Sequence, residues 1–282
     1  GIATAYMDSI PMVAITGQVD LEMLGRDAFQ ETDILDVTMP VTKHNYKVKN
    51  AADLVPIIRE AFDLARSGRP GPVLIDVPRN LFFEEVAYTE QKREERRPGK
   101  PDADFAICAA EAAAEIVNAE RPLVIVGGGV ISAGASAQTI AFIEKYKLPV
   151  VHTLMGMGGI PSTHPQMLGF IGMHGAKTAN YAVGAADLVI ALGSRFADRQ
   201  TGNLSKFTAN RKFIHIDIDP AEIDKIVGSS IGLAGDMCVI LNLLMRQAPK
   251  SDYAAWWQQL HTWQEEFAYD YHSDALSVPW AL

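Results

Sequence analysis

Cysteine is scarce in this chain: 282 residues carry only Cys108 and Cys238, far apart and in no CxxC pair. That excludes a cysteine-built zinc site or dithiol centre. It fits a reducing, cytoplasmic compartment while leaving a disulfide between the two open. The seven histidines show no HxH or HxxxH spacing, so no protein-built metal site is expected. No serine or cysteine stands in a GxSxG elbow. No apolar run reaches membrane-spanning length and no signal peptide is present, so no membrane partner is expected. Basic residues are in deficit, 25 Lys and Arg against 34 Asp and Glu, for a formal charge of −9. A nucleic-acid surface needs the opposite balance, whereas a small anionic substrate needs only one or two well-placed cations. Internal repeats and low-complexity tracts are also missing. The chain opens on Gly1 inside a helical pattern, GIATAYMDS, and closes on SVPWAL. It is read as an excerpt of a longer protein, so missing targeting signals carry no weight.

What is present is apolar and patterned. Hydrophobic residues make up 48% of the chain, enough for a sizeable core, and the length favours two modest domains. The segment 84–104, EEVAYTEQKREERRPGKPDAD, is charged with nearly balanced signs and poor in apolar residues. It reads as a solvated linker between residues 1–83 and 105–249. A second boundary is set near Pro249-Lys250-Ser251, and 250–282 reads as a connector containing one helix. Trp256, Leu260, Trp263 and Phe267 recur there at spacings of three to four, the stripe of a docked helix.

The first region predicts a strand at IPMVAIT, an extended segment at VTKHNYKV, a helix over 51–66 closed by Gly68, and a buried strand at PGPVLIDVP. The second predicts strands at 122–127, 149–153, 187–193, 213–219 and 231–235, with helices over 135–147, 175–184 and 236–247. Strands alternating with helices specify an α/β fold with parallel sheets.

Candidate sites gather where these strands end. After the first strand, GQVDLEMLGRDAFQE brings Asp27, Phe29, Gln30 and Glu31 into one loop. Those residues read equally as a site and as a plain helix start. VIVGGGVISAG sets three glycines between a strand and a helix, where backbone can approach an anionic ligand. Ser132 stands where a dinucleotide fingerprint has its last glycine, so the NAD geometry is disfavoured. Next come HTLMGMGG from His152, GMHG from Gly172, GSRFADR from Gly193, and Asp217-Ile218-Asp219. Four successive strand-end loops with glycines, hydroxyls and charges favour a nucleotide-like cofactor over turns alone. Asp217 is placed to accept from ribose hydroxyls, and Arg195 and Arg199 offer forked donors to phosphate or carboxylate. Either arginine taken singly reads better as a surface partner of Asp198 or Glu222. His152 and His215, inside apolar strands, read as core or edge residues.

GQV…DAFQE, SGRPGPVLIDVPRN, VGGGV, HTLMGMG, GMHG…ANYAV, GSRFADR, HIDIDPAEI and Gly235-Asp236 together resemble the large catalytic subunits of acetohydroxyacid (acetolactate) synthases, over nearly the whole chain. Several of these motifs are shared with other thiamine-diphosphate enzymes; the combination of DAFQE with GMHG and RFxDR is more specific. The resemblance implies the later half of a pyrimidine-binding domain (1–83), then a Rossmann-like (sirtuin/DHS-like) central FAD-binding domain (105–249), then a connector. It implies an enzyme that decarboxylates pyruvate with thiamine diphosphate and Mg²⁺ and joins the two-carbon unit to a second 2-ketoacid, pyruvate or 2-ketobutyrate. That reaction belongs to branched-chain amino-acid biosynthesis. Gln30 would approach the thiamine cofactor, Phe29 and Met173 would shape the second-substrate pocket, and Arg199 would hold its carboxylate. A structural FAD would be contacted by Arg69, Gly128, Thr153, Leu154, Met173, His174, Gly193, Ser194, Arg195, Asp217, Ile218, Asp236 and Met237. The implied partners are a second catalytic subunit, in a homodimer or tetramer, and a small regulatory subunit.

Three positions depart from the family pattern. Asp20 stands where proline is usual, Ala197 where an acidic residue is common, and Arg79 where lysine is frequent. The family's catalytic glutamate and its GDG…N motif for Mg²⁺ and diphosphate are not found, so the chain by itself is expected to be inactive. A glyoxylate carboligase, a pyruvate oxidase and a non-catalytic flavin module are the alternatives. GMHG with RFADR argues against the first two, and GQV…DAFQE with RPGPVLIDVPRN against the third.

Overall fold

The computed structural model describes residues 1–88, 103–249 and 253–268. Most of the expected linker and the last part of the expected connector lie outside the described residues. The chain divides into two compact units, Gly1–Arg97 and Pro98–Leu282.

The first unit is a three-stranded parallel sheet, β1 (Met12–Gln18), β2 (His44–Lys47) and β3 (Pro72–Pro78), in the order β1-β3-β2. The central strand β3 is buried along its whole length, as its unbroken apolar run requires. The 51–66 segment begins as a 3₁₀ turn, Ala51–Asp53, and continues as an α-helix, Leu54–Arg66. Gly68 follows with φ +52°, the left-handed conformation that lets the chain turn away. Ala61 and Ala65 on this helix are buried against the sheet, but Phe62, expected on the same face, is half exposed.

The second unit holds six parallel strands: β4 (Pro122–Val126), β5 (Val150–His152), β6 (Met167–Phe170), β7 (Leu188–Leu192), β8 (Lys212–Asp217) and β9 (Ile231–Ala234). Their order is β6-β5-β4-β7-β8-β9. The chain therefore winds outward one way from β4 and the other way from β7, and the order reverses between those two neighbours. Ligands of open α/β sheets sit at such a reversal, outside the carboxyl ends of the strands. Val124, Ile125, Ile190 and Ile214 form the middle of the core, packed by Phe142, Ile143 and Tyr146 of the helix Ser136–Tyr146.

The short helices Ile34–Thr38, Asp198–Thr201 and Leu204–Thr208 go beyond the sequence reading, and so do two further elements. Helix Ala103–Asn118 starts at the end of the charged segment. Strand β6 is four residues long, contains Gly169 at φ +110°, and pairs with β5 through a register irregularity. Helix Ala254–Glu266 matches its aromatic stripe: Trp256 and Leu260 are buried in the core of the second unit. Trp256 Nε1 donates to Pro122 O at 3.0 Å, and the Tyr253 hydroxyl donates to Ile116 O at 2.7 Å. This part of the expected connector is docked on the unit it follows. No helix among the described residues is long and apolar enough to cross a membrane.

Candidate functional site at the strand ends

In the second unit, the carboxyl ends of β4 and β7 touch through backbone. A Cβ on Gly127 would lie 2.1 Å from Gly193 O, and one on Gly129 would lie 2.6 Å from Gly193 Cα. The Gly129 amide donates to Gly193 O at 3.1 Å, and Gly193 itself has φ +57°. Gly156, in the loop after β5, would place a Cβ 2.1 Å from Val126 O. These glycines are fixed by close approach of backbone to backbone, so the edge is lined by main chain with no side chains between. Gly128, the first residue of the short helix after β4, faces Met155.

The flanking side chains form two groups. Thr153 caps the turn Leu154–Gly156, its Oγ1 accepting from Gly156 N at 3.2 Å. Leu154, Met155, Met157 and Met173 are exposed apolar side chains; His174, next to Met173 in sequence, and Arg199 are exposed as well. Arg199 Nε lies 4.0 Å from Asp198 Oδ2 with both side chains largely in solvent, a loose contact that leaves the guanidinium available. Arg195 is half-buried. Gly172 has φ +107°, and a Cβ there would lie 2.5 Å from Arg199 O, so the loop carrying Met173 lies directly on the turn carrying Arg199.

Behind these loops is a buried polar layer. Ser194 is buried, and its hydroxyl donates to Gln200 Oε1 at 3.1 Å. Its carbonyl pairs with His215 Nε2 at 2.9 Å, which makes Nε2 the protonated nitrogen. Gln200 Nε2 and His215 Nδ1 are buried with no hydrogen-bond partner among the described residues. Burial pushes the His215 imidazole below its usual pKa, against an opposing pull from Asp217. Asp217 ends β8; its Oδ1 accepts from Asp219 N at 3.0 Å, and burial raises its carboxyl above the usual range. Ile218 is exposed beyond it. Asp236 caps the helix Met237–Leu244 through Val239 N, while the Met237 side chain is buried in the core.

Phe29 and Gln30 belong to the first unit. Phe29 is 89% exposed at the tip of its loop, and Gln30 is held at φ +63°. Glu31 closes the loop by accepting from the amides of Gly25 and Ala28. Arg69, also in this unit, donates from Nε to Ser9 Oγ at 2.9 Å. The second unit thus gathers the residues from Gly128 to Met237 along one sheet edge, and the first holds Phe29, Gln30 and Arg69. Sequence reasoning missed Gln200 and the backbone-to-backbone role of Gly127, Gly129 and Gly156. Gln200 had no signal in sequence, because only the fold sets it against Ser194.

Residues 109–244 match the family of thiamine pyrophosphate enzymes, central domain. The six-stranded unit is therefore a domain of the thiamine pyrophosphate enzymes. Across both units the chain is 40% identical to the acetolactate synthase isozyme 3 large subunit of Escherichia coli, over 98% of this chain and 50% of that one. A probable acetolactate synthase large subunit of Methanocaldococcus jannaschii is 43% identical over 99% of this chain and 47% of its own length. Acetolactate synthase 1, chloroplastic, of rice is 42% identical, over 99% and 44%. The chain is similar to acetolactate synthase large subunits along nearly its whole length, as its motifs implied, and it spans about half the length of the curated relatives it matches.

Proposed function

We propose that the protein carrying this chain is an acetolactate synthase, which decarboxylates pyruvate and joins the two-carbon unit to a second 2-ketoacid, pyruvate or 2-ketobutyrate. The observation that carries this reading is identity of about 40% running through both units to relatives of that name. Residues 1–83 are assigned to the pyrimidine-binding domain, 105–249 to a Rossmann-like FAD-binding domain and 250–282 to a connector. Thiamine diphosphate, when bound, supplies the carbon centre that takes up the two-carbon unit.

The residues at the strand ends suit an FAD. The glycines let the ends of β4 and β7 close on one another through main chain, which leaves an edge of bare backbone for a flat or extended ligand to lie against. Asp217 offers a carboxylate for ribose hydroxyls, and Gln200 Nε2 is a buried donor lacking an acceptor. Gly128, Thr153, Leu154, Met173, His174, Gly193, Ser194, Arg195, Ile218, Asp236 and Met237 complete this set, Met237 through its backbone alone. Arg69, in the first unit, is assigned to the FAD from the resemblance alone.

Gln30 is assigned to the thiamine cofactor. From the resemblance, Phe29 in the first unit and Met173 in the second are each assigned to the second ketoacid as apolar surface, and Arg199 is assigned to its carboxylate as a forked donor. Mg²⁺ is proposed for the whole protein from the same resemblance; among the described residues no group of three or more His, Cys, Asp or Glu suited to a metal occurs. Assembly as a homodimer or tetramer with a small regulatory subunit, and a cytoplasmic location, follow from the same reading. The test is acetolactate formation from pyruvate by the full protein with thiamine diphosphate and Mg²⁺. Thiamine-dependent product supports the proposal. Flavin binding without any ketoacid turnover would replace it with a non-catalytic flavin protein.

A further inference from the structure

Two of the positions that depart from the family pattern meet in space. Arg79 Nε donates to Asp20 Oδ1 at 2.9 Å, and Nη2 donates to Oδ2 at 2.7 Å. This is a side-by-side fork, which neither the proline usual at the first position nor the lysine frequent at the second could make. Asp20 and Arg79 are therefore one coupled feature. Beside them, Leu21 N donates to Asn80 Oδ1 at 3.0 Å.

The pair sits at a defined place. Strands β1 and β3 run in register to Gln18 opposite Pro78, so the chain leaves both strands at the same edge. From β1 it enters the loop that carries Phe29 and Gln30. The far foot of that loop is held by Gln18, whose Nε2 donates to Thr32 O at 2.8 Å and to Asp76 Oδ2 at 3.2 Å. Glu31 gathers the middle through the Gly25 and Ala28 amides. The near foot is held by the fork and by Leu21–Asn80. Asp27 and Gln30 keep φ of +53° and +63°, conformations a loosely held non-glycine residue leaves readily. An isolated exposed ion pair contributes little; two-pronged geometry beside a second hydrogen bond is the favourable exception.

We propose that Asp20 and Arg79 are a positioning pair: their fork fastens the near foot of the loop, and so sets where Phe29 and Gln30 stand. Their effect on catalysis rests on the function proposed above.

The test is a double-mutant cycle in the full protein, with Asp20→Asn, Arg79→Met and the two combined. Amide hydrogen exchange over residues 21–31 is the first readout, with the melting temperature as control for the fold. Each single variant is expected to exchange about fivefold faster there, and the double variant no faster than either single. In turnover, each single variant raises KM for the second ketoacid more than it lowers kcat. Unchanged exchange in both singles, or exchange in the double equal to the product of the singles, overturns the pairing. Faster exchange with unchanged KM and kcat in an active enzyme overturns the positioning role. If no thiamine-dependent turnover exists at all while exchange responds as stated, the functional reading has failed and the fork remains the loop's fastening.

Discussion

The backbone amide of Met173 donates to the carbonyl of Arg199 at 3.0 Å. This bond ties the proposed second-substrate surface to the proposed carboxylate clamp through main chain. Gly172 makes the approach feasible, because a Cβ there would strike Arg199 O and its φ is +107°. Gly172→Ala is expected to destabilise the protein by on the order of 1–3 kcal/mol and to raise KM for the second ketoacid. Thermal melts and steady-state kinetics check this; an unchanged KM would mean that Met173 and Arg199 do not act together on substrate.

Gly127 is the stricter glycine. Its Cβ would lie 2.1 Å from Gly193 O and 2.8 Å from Ser194 Cα, both backbone atoms. Gly127→Ala is expected to part the ends of β4 and β7, lowering flavin retention as well as the melting temperature. Retained flavin at a wild-type level in this variant would place the flavin elsewhere.

Asp217, proposed for the flavin, is costly to bury as a carboxylate. Burial raises its pKa in the folded state. The folded protein then binds that proton more tightly than the unfolded chain, and stability is lost as pH rises through the interval between the two values. Above the folded-state value the cost is fully present, so Asp217→Asn is expected there to raise the melting temperature while weakening flavin binding about tenfold. Flavin titration and calorimetry on the same variant separate the two effects.

His215 has the opposite sign. Burial lowers its pKa below 6.5, so the unfolded chain takes up a proton that the folded protein refuses. Stability contributed by neutral His215 is therefore lost as pH falls below 6.5, until the folded-state value is reached. His215→Gln keeps an amide donor for Ser194 O and does not titrate. Its melting temperature is expected to fall less between pH 7 and pH 5 than that of the wild type.

Helix Ala254–Glu266 is held by its aromatic residues. Burial is the main cause raising the Tyr253 hydroxyl, pushed up to about 12. Ultraviolet titration is expected to show a late tyrosine phase that Tyr253→Phe removes. Trp256→Ala is expected to cost about 3–5 kcal/mol, through the emptied core volume and the lost bond to Pro122 O.

The strands, most helices and the family resemblance were legible because they rest on local periodicity and contiguous motifs. The apolar runs at 122–127 and 187–193 specify buried parallel strands without any knowledge of neighbours. Strand β6 escaped because four residues with a glycine carry too little pattern; it exists because β5 offers it an edge. Helix Ala103–Asn118 escaped because its start shares the charged composition of the preceding segment. Within the site, Gly193 and Asp217 were visible as strand-end residues. The contacts Gly127–Gly193, Ser194–Gln200 and Asp20–Arg79 were not, since each joins segments that only the fold brings together.

The most direct test of the central claim, that the ends of β4, β5, β7 and β8 hold a flavin, is the visible absorption spectrum of the purified full protein after extensive dialysis. A flavin spectrum at about one FAD per chain, lost on denaturation and weakened by Asp217→Asn, is the predicted result. A colourless protein that neither takes up added FAD nor responds to Asp217→Asn would contradict it.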